Sequence, residues 1–219
     1  MGGAGATEVS TWAGLQEAFT NGGDIRLTAE ITAGTTDSAL TVPSGKTVTL
    51  DLNGHTINRS LASPADDKVE SASKKGNAII VNGTLTVNDT SESKQGKITG
   101  AYSKRENFKC GAIYVASGGI FTLNAGSISG NKAGIEDEIS WHFGAGVSVD
   151  NGGTFTMNGG SISGNHSSWL GGGMASDSNA TINLLGGEIE HNTTSGTAGG
   201  TCLGGGVAAN PALRDAYEQ

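Results

Sequence analysis

The chain has 219 residues, of which 37 are glycine and only 5% are aromatic, and its formal charge is −8. So few large side chains would leave a broad globular core underfilled, whereas a narrow repetitive core needs few of them. The acidic balance opposes nonspecific attraction to nucleic acid or an anionic membrane, and no run of about 18 apolar residues offers a transmembrane span.

Residues 1–9 read as a disordered or added tail, since Met1 to Ala6 has neither the basic region nor the apolar stretch of a signal peptide. Residues 10–23 predict a capping helix. Trp12, Leu15 and Phe19 fall on one helical face, Ser10 or Thr11 can cap the start, and Gly22 and Gly23 end it. A solenoid must cover its open core, which suits this helix to the N-terminal end.

From residue 24 to residue 209 the chain repeats. Phe121-Thr-Leu-Asn-Ala-Gly-Ser-Ile-Ser-Gly-Asn131 is nearly identical to Phe155-Thr-Met-Asn-Gly-Gly-Ser-Ile-Ser-Gly-Asn165. Weaker copies are Leu50 to Ile57, Leu85 to Asn88 resuming at Lys97, and Ile182 to Ile189. The anchors Ile25, Leu50, Leu85, Phe121, Phe155 and Ile182 lie 25 to 36 residues apart. Length variation concentrated between short β-like pieces at a roughly constant period is a solenoid signature.

Each coil carries three short strands, exemplified by Ile113–Val115 (A), Phe121–Leu123 (B) and Ser127–Ser129 (C). Their alternation lets every apolar position point into one core, with equivalent strands of successive coils pairing in parallel. The predicted fold is all-β, a right-handed parallel β-helix of about six to seven coils with an N-terminal capping helix. Asn53, Asn88, Asn124 and Asn158 follow strand B, and Asn131, Asn165 and Asn192 follow strand C, which predicts two amide ladders between coils. Residues 210–219, opening on Asn210-Pro211, read as a C-terminal cap or a truncated end. Cys110 and Cys202 are expected to be unlinked, because three coil steps, roughly 14 Å, exceed the ~7 Å Cα reach of a disulfide.

The glycine-rich apolar motif (Gly111 to Tyr114, Gly172 to Met174, Gly205 to Val207), paired with Phe-x-x-Asn (Phe121 to Asn124, Phe155 to Asn158), resembles polymorphic outer-membrane-protein adhesin repeats. It equally resembles adhesin-like β-helix repeats in surface proteins of gut bacteria and archaea. The helix, then Ile25 to Leu27 and Leu50 to Ile57, is similar to the opening of pectate-lyase-like β-helix domains. The resemblance spans about residues 10 to 210. It implies a secreted or cell-surface location, and a module that is monomeric as a fragment of a larger surface protein.

Catalysis finds little support. The outward centre of strand A reads Ile80, Tyr114, Ser148, Ala175 and Ala208, and that of strand B reads Asp51, Thr86, Thr122, Thr156 and Asn183. A lone carboxylate is not the pair that acid/base hydrolysis uses. Glu188 and Glu190 on strand C are such a pair, but only Ser161 and Ser163 lie beneath them. The cysteines and histidines lack zinc spacing and the glycines lack a phosphate-loop Lys-Ser/Thr, so neither metal nor cofactor is expected.

Connections from strand C to the next strand A vary most in length and emerge at one corner as a wall of loops. They carry Tyr102, Phe108, Trp141, His142, His166 and Trp169. Aromatic side chains on loops borne by a rigid scaffold suit recognition. The expected function is a non-catalytic adhesin-type module that binds a glycan or host protein through these six residues, with no nucleic-acid partner. One alternative is a lyase or hydrolase acting on an acidic or plant polysaccharide. The more remote alternative is ice binding by the outward threonines of strand B, a column broken by Asp51 and Asn183.

Overall fold

The computed structural model describes residues 5–62, 76–103, 109–134, 143–195 and 204–209. These form a right-handed parallel β-helix with one helix at its N-terminal end, and every strand pairing is parallel. Sheet A joins Leu40–Val42, Ile79–Val81, Ile113–Val115, Val147–Val149, Met174–Ser176 and Val207–Ala209. Sheet B joins Thr7–Val9, Gly23–Leu27, Thr47–Asp51, Thr84–Asn88, Ile120–Leu123, Thr154–Met157 and Thr181–Leu184. Sheet C joins Ile31–Thr32, Thr56–Asn58, Lys97–Thr99, Ser127–Ser129, Ser161–Ser163 and Glu188–Glu190.

Strand alternation places the core. In sheet C, Ile31, Ile57, Ile98, Ile128, Ile162 and Ile189 stack as one unbroken isoleucine column. In sheet B, Leu85, Phe121 and Phe155 stack likewise and are fully buried. Toward the last described coil the cover thins: Ile182 and Ile189 are half-buried, and Leu184 is exposed.

The helix covers the first coil. It spans Trp12–Asn21, with Thr11 as N-cap accepting from the Gly14 N–H and Gly22 at positive φ ending it. Trp12, Leu15, Ala18 and Phe19 are buried. Arg59, also buried, fastens the helix from the side: its Nε donates to the Asn77 carbonyl at 3.3 Å and its Nη2 to the Asp37 carbonyl at 2.7 Å. Its guanidinium lies 5.7 Å from the centre of the Trp12 ring, a cation–π distance. Burial lowers the Arg59 pKa, and Asp37 opposes that shift.

Four expectations need correction. Residues 1–9 are not all tail, because Thr7–Val9 pairs with Ile25 to Leu27 and extends sheet B before the helix. The coil at Thr47–Asp51 sits two residues away from the expected register: Val48 pairs with Leu85 and Leu50 with Val87. The corner after it is longer, and Leu52 fills it, fully buried where a Cβ on Gly96 or Gly126 would collide with its side chain. The outward position of strand B in that coil is therefore Thr49, not Asp51. A fourth sheet, D, occupies what the sequence reads as loop. Finally, the outward residues Ile80, Tyr114, Ser148 and Ala175 of sheet A are buried, so this face is not a solvent surface.

The asparagine columns differ. Along sheet C's far end, Asn131, Asn165 and Asn192 form an inner ladder. The Asn165 Oδ1 accepts the Asn131 N–H and Nδ2, while its own Nδ2 donates to the Ile128 carbonyl and to Asn192 Oδ1. All its amide valences are met inside the protein. Two strand-A glycines make room for this ladder: a Cβ on Gly146 would lie 3.0 Å from Asn165 Nδ2 and 2.4 Å from the Gly173 carbonyl, and Gly173 stands in the same relation to Asn192. In the outer column, Asn158 donates to Asn124 and Asn124 to Asn88, each at 2.8 Å. Asn53 does not join them; it donates to the Leu27 carbonyl and accepts from Arg26.

Cys110 is buried beside Ala133 and Ala145. Cys202 and the segment 210–219 lie outside the described residues.

Candidate functional site

Sheet D is built from two-residue strands that follow strand C in four coils: Tyr102–Ser103, Lys132–Ala133, His166–Ser167 and Thr193–Thr194. Their second residues face inward, and Ser103, Ala133 and Ser167 are buried. Only small side chains fit there, because the strands turn tightly beyond the inner asparagine ladder. Three of the four first residues directly follow a ladder asparagine, and the fourth follows Ala101, whose N–H donates to Asn131 Oδ1.

Those first residues face outward and align in one column, Tyr102, Lys132, His166, Thr193. Neighbours in such a column are about 4.8 Å apart at the backbone. The Lys132 Nζ lies 5.6 Å from the Tyr102 ring centre, within cation–π range. His166 Nδ1 and Thr193 Oγ1 share a hydrogen bond of 2.8 Å. The row thus presents the Tyr102 ring, the exposed Lys132 ammonium and the edge of the His166–Thr193 pair, with the His166 Nε2 buried and no carboxylate among the four. Such a set can stack against one face of a ligand and hydrogen-bond its edge.

Trp169 is half-buried three residues beyond His166 of this row, and its backbone N–H donates to Ser167 Oγ at 3.4 Å. One bridge, Phe143 to Leu170, aligns the connections of two neighbouring coils. Of the six residues singled out from sequence, Tyr102 and His166 come together in the row and Trp169 stands next to it. Phe108, Trp141 and His142 lie outside the described residues. Lys132 and Thr193 were missed. The usable signal was their position immediately after Asn131 and Asn192.

The other faces are chemically plainer. Glu188 and Glu190 pair with Ser161 and Ser163, as the spacing predicts, and both are exposed. His191 Nδ1 sits 3.4 Å from Glu190 Oε2. On sheet A, the Tyr114 hydroxyl donates to Asp150 at 2.7 Å. Among the described residues, no three of His, Cys, Asp and Glu gather as metal ligands. Comparisons of this chain with family models, with curated proteins and with solved structures return no match.

Proposed function

We propose that this chain is a non-catalytic recognition module of a secreted or cell-surface protein, and that it takes a glycan or protein ligand along sheet D. The observation that carries this reading is the alignment of Tyr102, Lys132, His166 and Thr193 in one outward column. Side chains of this kind, on a scaffold that does not reorganise, bind with little loss of conformational entropy. The repeat's likeness to adhesin-type and pectate-lyase-like β-helices supports the surface setting, and a polar row without a carboxylate supports recognition over turnover.

The test is a glycan array with the purified chain and with Tyr102→Ala, Lys132→Ala and His166→Ala. Binding that falls about tenfold or more in at least two variants, with unchanged thermal melting, supports the reading. Ligands bound equally by parent and all three variants would overturn it.

A further inference from the structure

With the register of the Thr47–Asp51 coil corrected, two neighbouring outward columns run down sheet B. The first reads Thr47, Thr84, Ile120, Thr154 and Thr181; the second reads Thr49, Thr86, Thr122, Thr156 and Asn183. Eight of these ten positions over five coils are threonine. Strand propensity favours threonine on a solvent face, but it favours valine, isoleucine and tyrosine as well, and solvent exposure admits lysine and glutamate. None of the ten is charged or aromatic. Asp24 precedes Thr49 in the second column, and Glu8, Arg26 and Asp51 lie in the adjacent one, so the charges are confined to the N-terminal coils of the sheet.

The array is also periodic in two directions. Steps along the solenoid are about 4.8 Å, and steps along each strand are about 6.7 Å. β-branched side chains are stiff at χ1, and the threonines from Thr84 to Thr156 are flanked by the coils above and below. The Asn88–Asn124–Asn158 zipper runs alongside and ties three coils together. The coil insertions leave elsewhere: residues 89–96 depart after strand B, residues 59–78 after strand C, and the later ones after sheet D. Unequal coil lengths therefore leave this face regular.

A dissolved glycan or protein is usually held by aromatic or charged anchors, and a crystalline polysaccharide is gripped by aromatic platforms, none of which this face offers. A solid whose surface is an array of water molecules requires only regular hydroxyls and methyls at matching intervals. Both repeats lie close to those of the prism face of ice. We propose that sheet B is an ice-binding face, separate from the ligand row on sheet D.

The experiment is ice-affinity partitioning and inhibition of ice recrystallisation with the purified chain. The parent is expected to enter growing ice and to suppress recrystallisation. The double variant Thr86→Lys, Thr122→Lys should lose both effects about tenfold while melting as the parent does. The pair Thr86→Ser, Thr122→Ser tests the same face with less risk to folding and should lose activity through its missing methyls. Lys132→Ala, on sheet D, should leave ice binding intact. Recrystallisation no slower than with an equal mass of albumin would overturn the proposal, as would full activity in the lysine variant. Adsorption to cellulose or chitin without any effect on ice would overturn it in favour of a crystalline polysaccharide.

Discussion

The rings of Phe121 and Phe155 stack face to face, with centroids 5.1 Å apart and planes inclined by 12°. Their separation is nearly the step from one coil to the next, so no other side chain fits between the two rings.

Phe155→Ala is expected to cost about 3–5 kcal/mol, because the neighbouring layers cannot close over the gap without abandoning their hydrogen bonds. Phe155→Asp should abolish folding by burying an unpaired charge. Urea titration followed by far-UV circular dichroism measures both. A Phe155→Asp chain that melts normally would contradict the packing.

The two asparagine ladders should respond differently. Asn165→Leu leaves the Asn131 N–H and the Ile128 carbonyl without their side-chain partners in a dry interior, at about 1–3 kcal/mol for each unmet group. Asn158→Ala removes an exposed bond and should shift stability by about 0.5 kcal/mol or less. Equal effects in thermal melts would refute the distinction between inner and outer columns.

Gly146→Ala should destabilise the fold although φ at that position is permissive. Its Cβ would lie 2.4 Å from the Gly173 carbonyl, and that atom is backbone that cannot step aside. Overpacking of this kind typically costs about 1–3 kcal/mol. Gly118→Ala, where a Cβ meets nothing within 4 Å but φ is +76°, separates backbone strain from collision and should cost about 1 kcal/mol. A Gly146→Ala melt indistinguishable from the parent would disprove the collision.

Acid should loosen the corner at residues 89–96. Burial alone would raise the Asp89 pKa, but the Ser91 hydroxyl and the N–H groups of Gly96, Gly54 and Ser91 hold it below the ordinary carboxylate value. A depressed folded-state pKa contributes stability that is present above the unfolded value, about pH 4, and is lost as pH falls through the folded value. Asp89→Asn should therefore be less stable than the parent at pH 7, and the difference should shrink below pH 4. A gap that stays constant between pH 7 and pH 2.5 would rule this out.

The parallel strands, capping helix and inner ladder were legible because each rests on a pattern longer than one element. Trp12, Leu15 and Phe19 define a helical face, and Asn131 and Asn165 recur at the end of two near-identical segments. The slip at Val48 was invisible for a physical reason: a shift of two residues returns every side chain to its own face, so alternation cannot report it. The strands of sheet D, such as Lys132–Ala133, are too short to show any period, and Thr7–Val9 is scarcely longer. Half of the candidate row was found through its aromatic and imidazole side chains. Lys132 and Thr193 look unremarkable until the ladder beside them supplies the register.

The inner ladder also has a direction. The Ala101 N–H is met by Asn131, that of Asn131 by Asn165, and that of Asn165 by Asn192, respectively 30, 34 and 27 residues further along the chain. A polypeptide leaving the ribosome N-terminus first thus cannot finish one coil until the next has been synthesised. Through these coils the growing end holds a polar group waiting for a partner still to be made, so this part of the solenoid matures one coil behind its own translation.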